Sequence, residues 1–403
     1  MEVTRCMISF ILTSLLLFFI AHLSLAPSTA RNDRSYRNLA ARDGLPSAVF
    51  AEIRPKFAYF ISGSKGDLRR IQRTLLSLYH PSNFYLLHLD REASAAERFQ
   101  LSEFVAGVEI FARADNVRIV GKPNLVTYRG PTMLANTLHG MSMLLRVRSW
   151  DWFINLSASD YPLITQDDLI SAFEDMPRNL NFIEHTSNLG WKVNKRVKPI
   201  IIDPGLYELE KSEILWLPKQ RSMPTAFRLF TGSAWMVLSR SFVEYCLLGW
   251  DNLPRTLLMY YTNFVSSPEG YFQTLICNSK EFKNSTVNHD LHYIAWDNPP
   301  RQHPLYLGVK DHRKLIYSHA PFARKFMVDD PELDKIDREM LHRHKGKFTY
   351  GGWCNPDGER ENPCSTFVAG NGTMLRPGPG SRRLKALLTR LISRRSIQNS
   401  QCK

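Results

Sequence analysis

Short apolar runs that alternate with helix-period segments at close spacing constrain this chain more than any other feature. Phe57-Ala58-Tyr59-Phe60-Ile61 reads as a strand ending in Ser62-Gly63-Ser64-Lys65-Gly66, and Leu68, Ile71, Leu75, Leu76 and Leu78 then mark a helix. A second strand, Phe84 to Leu89, ends at Asp90; a third, Val117 to Val120, precedes a helix near Met133 to Val147. Further strands are expected at Trp152–Leu156, Asn181–His185 and Phe230–Leu238, the last leading into a helix near Phe242 to Leu248. This alternation, with short connections, predicts an α/β fold with a mainly parallel, Rossmann-like central sheet. Ligands in such sheets bind beyond the carboxyl ends of the strands, where Ser62 to Gly66, Asp90 and Asp160 fall. Residues 187–228, rich in Lys, Arg, Trp and Pro, are expected as loops over one face.

The address of the chain follows from its first residues. Met7 to Ala26 is an uncharged, nearly unbroken apolar run of 20 residues, long enough at 1.5 Å each to span roughly 30 Å of bilayer core. It reads as a transmembrane signal anchor, with 1–6 as a cytoplasmic tail, 27–54 as a stem and 55–350 as one luminal domain. The rival reading, a signal peptide cleaved near Ser28-Thr29-Ala30, leads to the same lumen. That compartment permits disulfides and N-glycans. Asn284 and Asn371 stand in turn-like sequons, whereas the Asn155 sequon lies in an apolar strand and is not expected to be used. Cys354 and Cys364 flank a Gly/Pro/Asn-rich stretch and are the favoured disulfide, with Cys246–Cys277 second and six free thiols as the remaining alternative.

A net charge of +14 invites a nucleic-acid reading. Eight of those charges, Arg376, Arg382, Arg383, Lys385, Arg390, Arg394, Arg395 and Lys403, sit in a segment with no acid after Glu361. The 351–403 region therefore reads as a Cys-containing segment followed, from about Gly370, by a flexible or weakly helical basic tail. The body's smaller excess suits an anionic small ligand or an acidic polymer, and the luminal address argues against nucleic acid.

Ser266-Ser267-Pro268-Glu269 places one carboxylate at the start of a helix, with serine as an N-cap, proline at the first helical position and Phe272, Leu275 and Ile276 as its buried stripe. Glu269 is then either a rigid group facing a ligand or a complement to the helix dipole, an effect of about 0.3–1 kcal/mol. The chain contains no Asp-x-Asp triplet to hold a metal under a diphosphate. A diphosphate leaving group would need fixed cations instead, and Arg301, between prolines, and Lys325, among aromatics, are the candidates; ordinary surface cations are the alternative. No P-loop, dinucleotide fingerprint, H-E-x-x-H motif, closed Cys/His set or G-x-S-x-G elbow occurs, so neither a metal centre nor a serine hydrolase is indicated.

The ordered blocks Asn155-Leu156-Ser157 through Asp160-Tyr161-Pro162, Phe230-Thr231-Gly232-Ser233-Ala234, Ser267-Pro268-Glu269 and Ala323-Arg324-Lys325-Phe326 resemble those of the core-2/I-branching glycosyltransferases, glycosyltransferase family 14. Leu275 to Asn278, Val287 to Tyr293 and Trp296 to Pro300 are most similar to the plant branch, the β-glucuronosyltransferases of arabinogalactan proteins. The resemblance implies a GT-A-like fold, a Golgi enzyme anchored as a single-pass type II protein, and a UDP-sugar donor, UDP-glucuronic acid in the plant branch. It also implies a β-galactan acceptor, inversion at the anomeric carbon and no metal. By the same resemblance Glu269 matches the catalytic base, and Arg301 and Lys325 match the diphosphate-binding cations. Asp90 matches a position near the donor nucleoside, and Glu184 with Lys192, Lys195 and Arg196 the acceptor side. Transfer of N-acetylglucosamine or xylose, or an inactive galactan-binding protein, are the alternatives.

Overall fold

In the strand Phe57–Gly63, odd positions Phe57, Tyr59 and Ile61 enter one buried cluster while Ala58 and Phe60 enter another on the opposite face. Side chains alternate along a strand, so a run apolar at every position needs cover on both sides. That requirement organises the whole molecule. The computed structural model describes residues 54–147, 149–207, 213–299, 303–354 and 374–403. These fall in a unit that runs to Lys403. The expected anchor at 7–26 lies outside the described residues, among which no helix is long and apolar enough to cross a membrane.

The described residues hold twelve strands: β1 (Phe57–Gly63), β2 (Phe84–Leu89), β3 (Val117–Ile119), β4 (Trp152–Ser157), β5 (Asp160–Pro162), β6 (Asn181–Ile183), β7 (Pro199–Ile202), β8 (Leu215–Gln220), β9 (Met236–Ser239), β10 (Thr286–Val287), β11 (His292–Ile294) and β12 (Phe322–Arg324). Seven form the central sheet in the order β10-β6-β9-β4-β1-β2-β3. All neighbours pair in parallel except β9, which runs antiparallel to both β4 and β6. The expected mainly parallel α/β sheet is therefore present. Helices Leu68–Leu78 and Pro379–Leu391 supply buried leucines to one face, and helices Thr132–Leu145, Arg240–Leu248 and Tyr271–Asn278 cover the other. Each buried leucine or phenylalanine stabilises the fold by about 1.5–3 kcal/mol.

Three stretches differ from the sequence expectation. The strand expected over 230–238 is regular only from Met236, because Thr231 makes an isolated bridge to Thr186. Residues 187–228 hold the β7–β8 ribbon as well as loops. The basic tail is a packed part of the body: Leu384, Leu387 and Leu388 are fully buried. Asp168 accepts the N–H groups of Gly378 and Ser381 at 2.6 and 3.0 Å, and Asp167 those of Gly352 and Arg376, both at 2.7 Å. Its leucines recur at helical spacing, so the stripe outweighs the charge and the glycine-proline start.

Candidate active site

The carboxyl ends of β1, β2, β4 and β6 and the amino end of the antiparallel β9 share one edge of the sheet, and the functional groups gather there. Glu269 closes a 3-10 turn, Ser267–Glu269, and Gly270 passes the chain into the helix Tyr271–Asn278. The expected serine cap is not formed. Ser266 is in the left-handed region at φ 58° with no side-chain cap, and Ser267 Oγ lies 2.8 Å from each of the Tyr261 and Phe264 carbonyl oxygens. The turn is anchored by other means. Ser266 N–H donates to the Arg129 carbonyl at 2.8 Å, the Glu269 carbonyl accepts from Gly232 N–H at 2.9 Å, and Phe272, Leu275 and Ile276 are fully buried as expected.

Arg196 reaches this carboxylate from a π-helical turn, Val193–Val197, and forms an ion pair with Glu269 Oε2. Its guanidinium also lies over the Trp191 ring, 5.5 Å from the centroid. Lys192, one turn earlier, donates to Thr231 Oγ1 at 3.1 Å; burial and the nearby Arg196 lower its pKa, while Glu269 and Glu184 act the other way. Glu184 follows β6 directly, and crowding by protein raises its pKa, helped by the charges of Asp290 and Glu269 and opposed by Lys192. The Glu184 side chain is exposed to solvent. Lys195 is exposed. The sequence-selected Glu184, Lys192, Arg196 and Glu269 are thus one electrostatic cluster.

Gly232 is the point where its two carboxylates are tied together. A Cβ there would lie 1.8 Å from the Glu184 carbonyl oxygen, so only glycine lets the chain pass beside Glu184, just after β6, while its N–H holds Glu269.

Asp160 and Arg324 face each other across the β5–β12 pairing. Arg324 Nη1 lies 3.4 Å from Asp160 Oδ1, and the guanidinium covers the Trp235 ring at 3.9 Å from its centroid. Burial pulls the Arg324 pKa down, while Asp160, Asp290 and Glu269 favour its charge. Both Nη1 and Oδ1 are buried without a hydrogen-bond partner. Lys325 extends beside it, its Nζ 4.2 Å from the Tyr306 ring centroid. Asp90 is buried at the end of β2 and accepts the N–H groups of Glu92 and Val126 at 2.8 and 3.0 Å. It pins the loop whose Arg129 carbonyl holds Ser266.

Arg301, Asn371 and Cys364 lie outside the described residues. Asn284 is exposed on the turn Lys283–Ser285, whereas the Asn155 amide is spent on Ala234 O and Met236 N–H. Cys354 is disulfide-bonded. The second expected pairing is corrected: Cys277 bonds Cys402, with Cα atoms 5.3 Å apart, and Cys246 is a buried free thiol. His185, Cys277 and Cys402 bring three possible ligand atoms within 4.8 Å, but two of them are this disulfide. Sequence reasoning missed Arg324, Trp235 and Gly232 as site residues. Arg324 adjoins Lys325 in a block already singled out, yet nothing local marks which of the two faces Asp160.

A carboxylate held by its turn beside cations, at the carboxyl edge of a mainly parallel sheet, is an arrangement suited to group transfer. The core-2/I-branching enzyme family model matches residues 57–316, and the chain belongs to that family of glycosyltransferases. Beta-glucuronosyltransferase GlcAT14A of Arabidopsis thaliana is 59% identical over 353 residues, covering 87% of this chain and 78% of that protein. Beta-glucuronosyltransferase GlcAT14C of the same plant is 48% identical over 368 residues, covering 91% and 88%. Among solved structures, the galactosyltransferase LgtC superposes with a TM-score of 0.36 at 8% identity, over 72% of this chain and 98% of that one.

Proposed function

We propose that this enzyme transfers glucuronic acid from UDP-glucuronic acid to galactose hydroxyls of the β-galactan chains of arabinogalactan proteins, with inversion and without a metal. The observation that carries the reading is the Glu269 carboxylate, fixed by its turn and flanked by Arg196, in a chain 59% identical to a protein named as a β-glucuronosyltransferase. In this reading the fold is GT-A-like and Arg196 holds Oε2 while Oε1 takes the proton of the acceptor hydroxyl. The hydroxyl oxygen forms the new bond to the anomeric carbon as the bond to the diphosphate oxygen breaks. Lys325 and Arg301 receive the departing UDP, supplying the charge a metal gives elsewhere. Asp90 shapes the nucleoside side by holding Val126. Glu184, Lys192 and Lys195 meet the acceptor, and the cations of that group are the available partners for the uronate carboxylate. The enzyme acts from the Golgi membrane with its body in the lumen, anchored by Met7 to Ala26.

The test is incubation of the luminal chain with UDP-glucuronic acid, UDP-xylose and UDP-N-acetylglucosamine against β-galactan oligosaccharides, with the product identified by mass and NMR. Glucuronosylated galactan formed in excess EDTA is the expected result. Turnover only with another sugar overturns the donor assignment, and a strict Mn²⁺ requirement overturns the metal-free account.

A further inference from the structure

We infer that the last ten residues are a positioning strap for the acceptor side of the active site, acting through His185 and the Cys277–Cys402 disulfide. The inference rests on the reading above that Glu184 faces the acceptor. β10 is the edge strand of the sheet and only two residues long, and β6 beside it has three. Two pairs of residues are all that join them. The C-terminal segment supplies what this ladder lacks. Gln401 Nε2 donates to the Thr286 carbonyl at 2.8 Å and Asn288 Nδ2 to the Ser400 carbonyl at 3.1 Å. Cys402 N–H donates to His185 Nε2 and Ser187 N–H to the Lys403 carbonyl, both at 2.8 Å.

His185 is built to receive that strap. Its Nδ1 lies 2.7 Å from the Ile183 carbonyl, which can only accept, so Nδ1 carries the proton and Nε2 is left as the acceptor for Cys402. Its own N–H donates to Asn288 Oδ1, which joins β6 to the residue after β10. Cys277 stands at the far end of the helix that begins beside Glu269. The strap thereby joins the helix behind the base to the strand end that carries Glu184. Gly232 packs against the Glu184 carbonyl and its N–H donates to the Glu269 carbonyl, so loosening of that strand end reaches the Gly232 N–H, while the Glu269 turn keeps its own hold through Ser266 and the Arg129 carbonyl. A flexible tail has no reason to carry a disulfide and four hydrogen bonds, two to His185 and Ser187 just after Glu184 and two to Thr286 and Asn288 at β10.

The test compares wild type with Cys402→Ser in the luminal chain, using whichever donor and acceptor the wild type turns over. The acceptor KM is expected to rise about three- to tenfold with the donor KM and kcat within about twofold. Dithiothreitol, which gives two electrons and two protons to the S–S bond and leaves as its own cyclic disulfide, should raise the acceptor KM of wild type and not that of Cys402→Ser. That comparison separates this bond from the one at Cys354. Amide exchange at Ser187 and Gly232 supplies a readout independent of the sugar: both should exchange faster in the variant. A wild type inactive on glucuronate would count against the proposed donor alone, whereas unchanged exchange at Gly232, or an equal loss in both KM values and kcat, overturns the strap. Should Cys402→Ser fail to fold, Gln401→Ala, which keeps the disulfide, is judged by its KM values, its kcat and amide exchange at Ser187 and Gly232.

Discussion

Gly232→Ala adds one methyl where the structure has no room for it. The new Cβ would sit 1.8 Å from the Glu184 carbonyl oxygen, 2.6 Å from its carbon and 3.2 Å from His185 Cα. A comfortable contact is about 3.5 Å, so about 1.7 Å of separation has to be found. Every obstructing atom is backbone, and no side chain can swing away. Overpacking of this kind costs about 1–3 kcal/mol. At about 2 °C per kcal/mol for a domain of this size, the melting temperature should fall by about 2–6 °C. The effect on turnover should be larger, because the same residue's N–H holds the Glu269 carbonyl at 2.9 Å. A displacement of about 1 Å in a reacting group costs on the order of a hundredfold. Steady-state kinetics and thermal unfolding on the same preparation decide the matter, with Gly121→Ala as control, since no heavy atom lies within 4 Å of its added Cβ. If Gly232→Ala kept its melting temperature and stayed within about threefold of wild-type kcat, the coupling of Glu184 to Glu269 through this crossing would be refuted.

Three further outcomes follow from the same structure. Glu269→Gln should bind UDP as wild type does while kcat falls about 10²- to 10⁴-fold, and near-normal turnover removes Glu269 from the role of base. Arg324→Met leaves the buried Asp160 carboxylate without its counter-ion, so denaturant titration should show a loss of about 3–5 kcal/mol; the double variant with Asp160→Asn should recover part of it, and an additive double variant argues against the pair. Burial lowers the pKa of His80 to about 3 and of His88 to about 4, so below pH 6.5 the unfolded chain takes up protons that the folded chain refuses. Stability is therefore full above pH 6.5 and falls toward pH 4, by about 2 kcal/mol per histidine at pH 5, and equal urea midpoints at pH 7.5 and pH 5 contradict this.

Sequence reasoning reached the parts of this protein whose signal is local. The apolar run from Phe57, the 3.6-residue spacing from Leu68 and Pro268 beside Glu269 each write their structure within one pleat or one turn. So the α/β class and the turn that bears Glu269 were legible. So was Asp90 as a strand-end acid. Where the signal was composition, it misled: the charge of the tail hid a leucine stripe, and Ser266 was read as a cap when its carbonyl-bonded turn needed none.

Tertiary structure alone decided what those residues meet. Arg196 reaches Glu269 across 73 residues, and Cys277 reaches Cys402 across 125. Neither separation leaves a periodic trace, because both contacts depend on the order β10-β6-β9-β4-β1-β2-β3 and on β9 running against its neighbours. Burial dictates that every face be covered, but many strand orders satisfy that demand. The choice among them brings Gly232 onto Glu184, stacks Arg324 on Trp235 and packs a basic tail against the sheet.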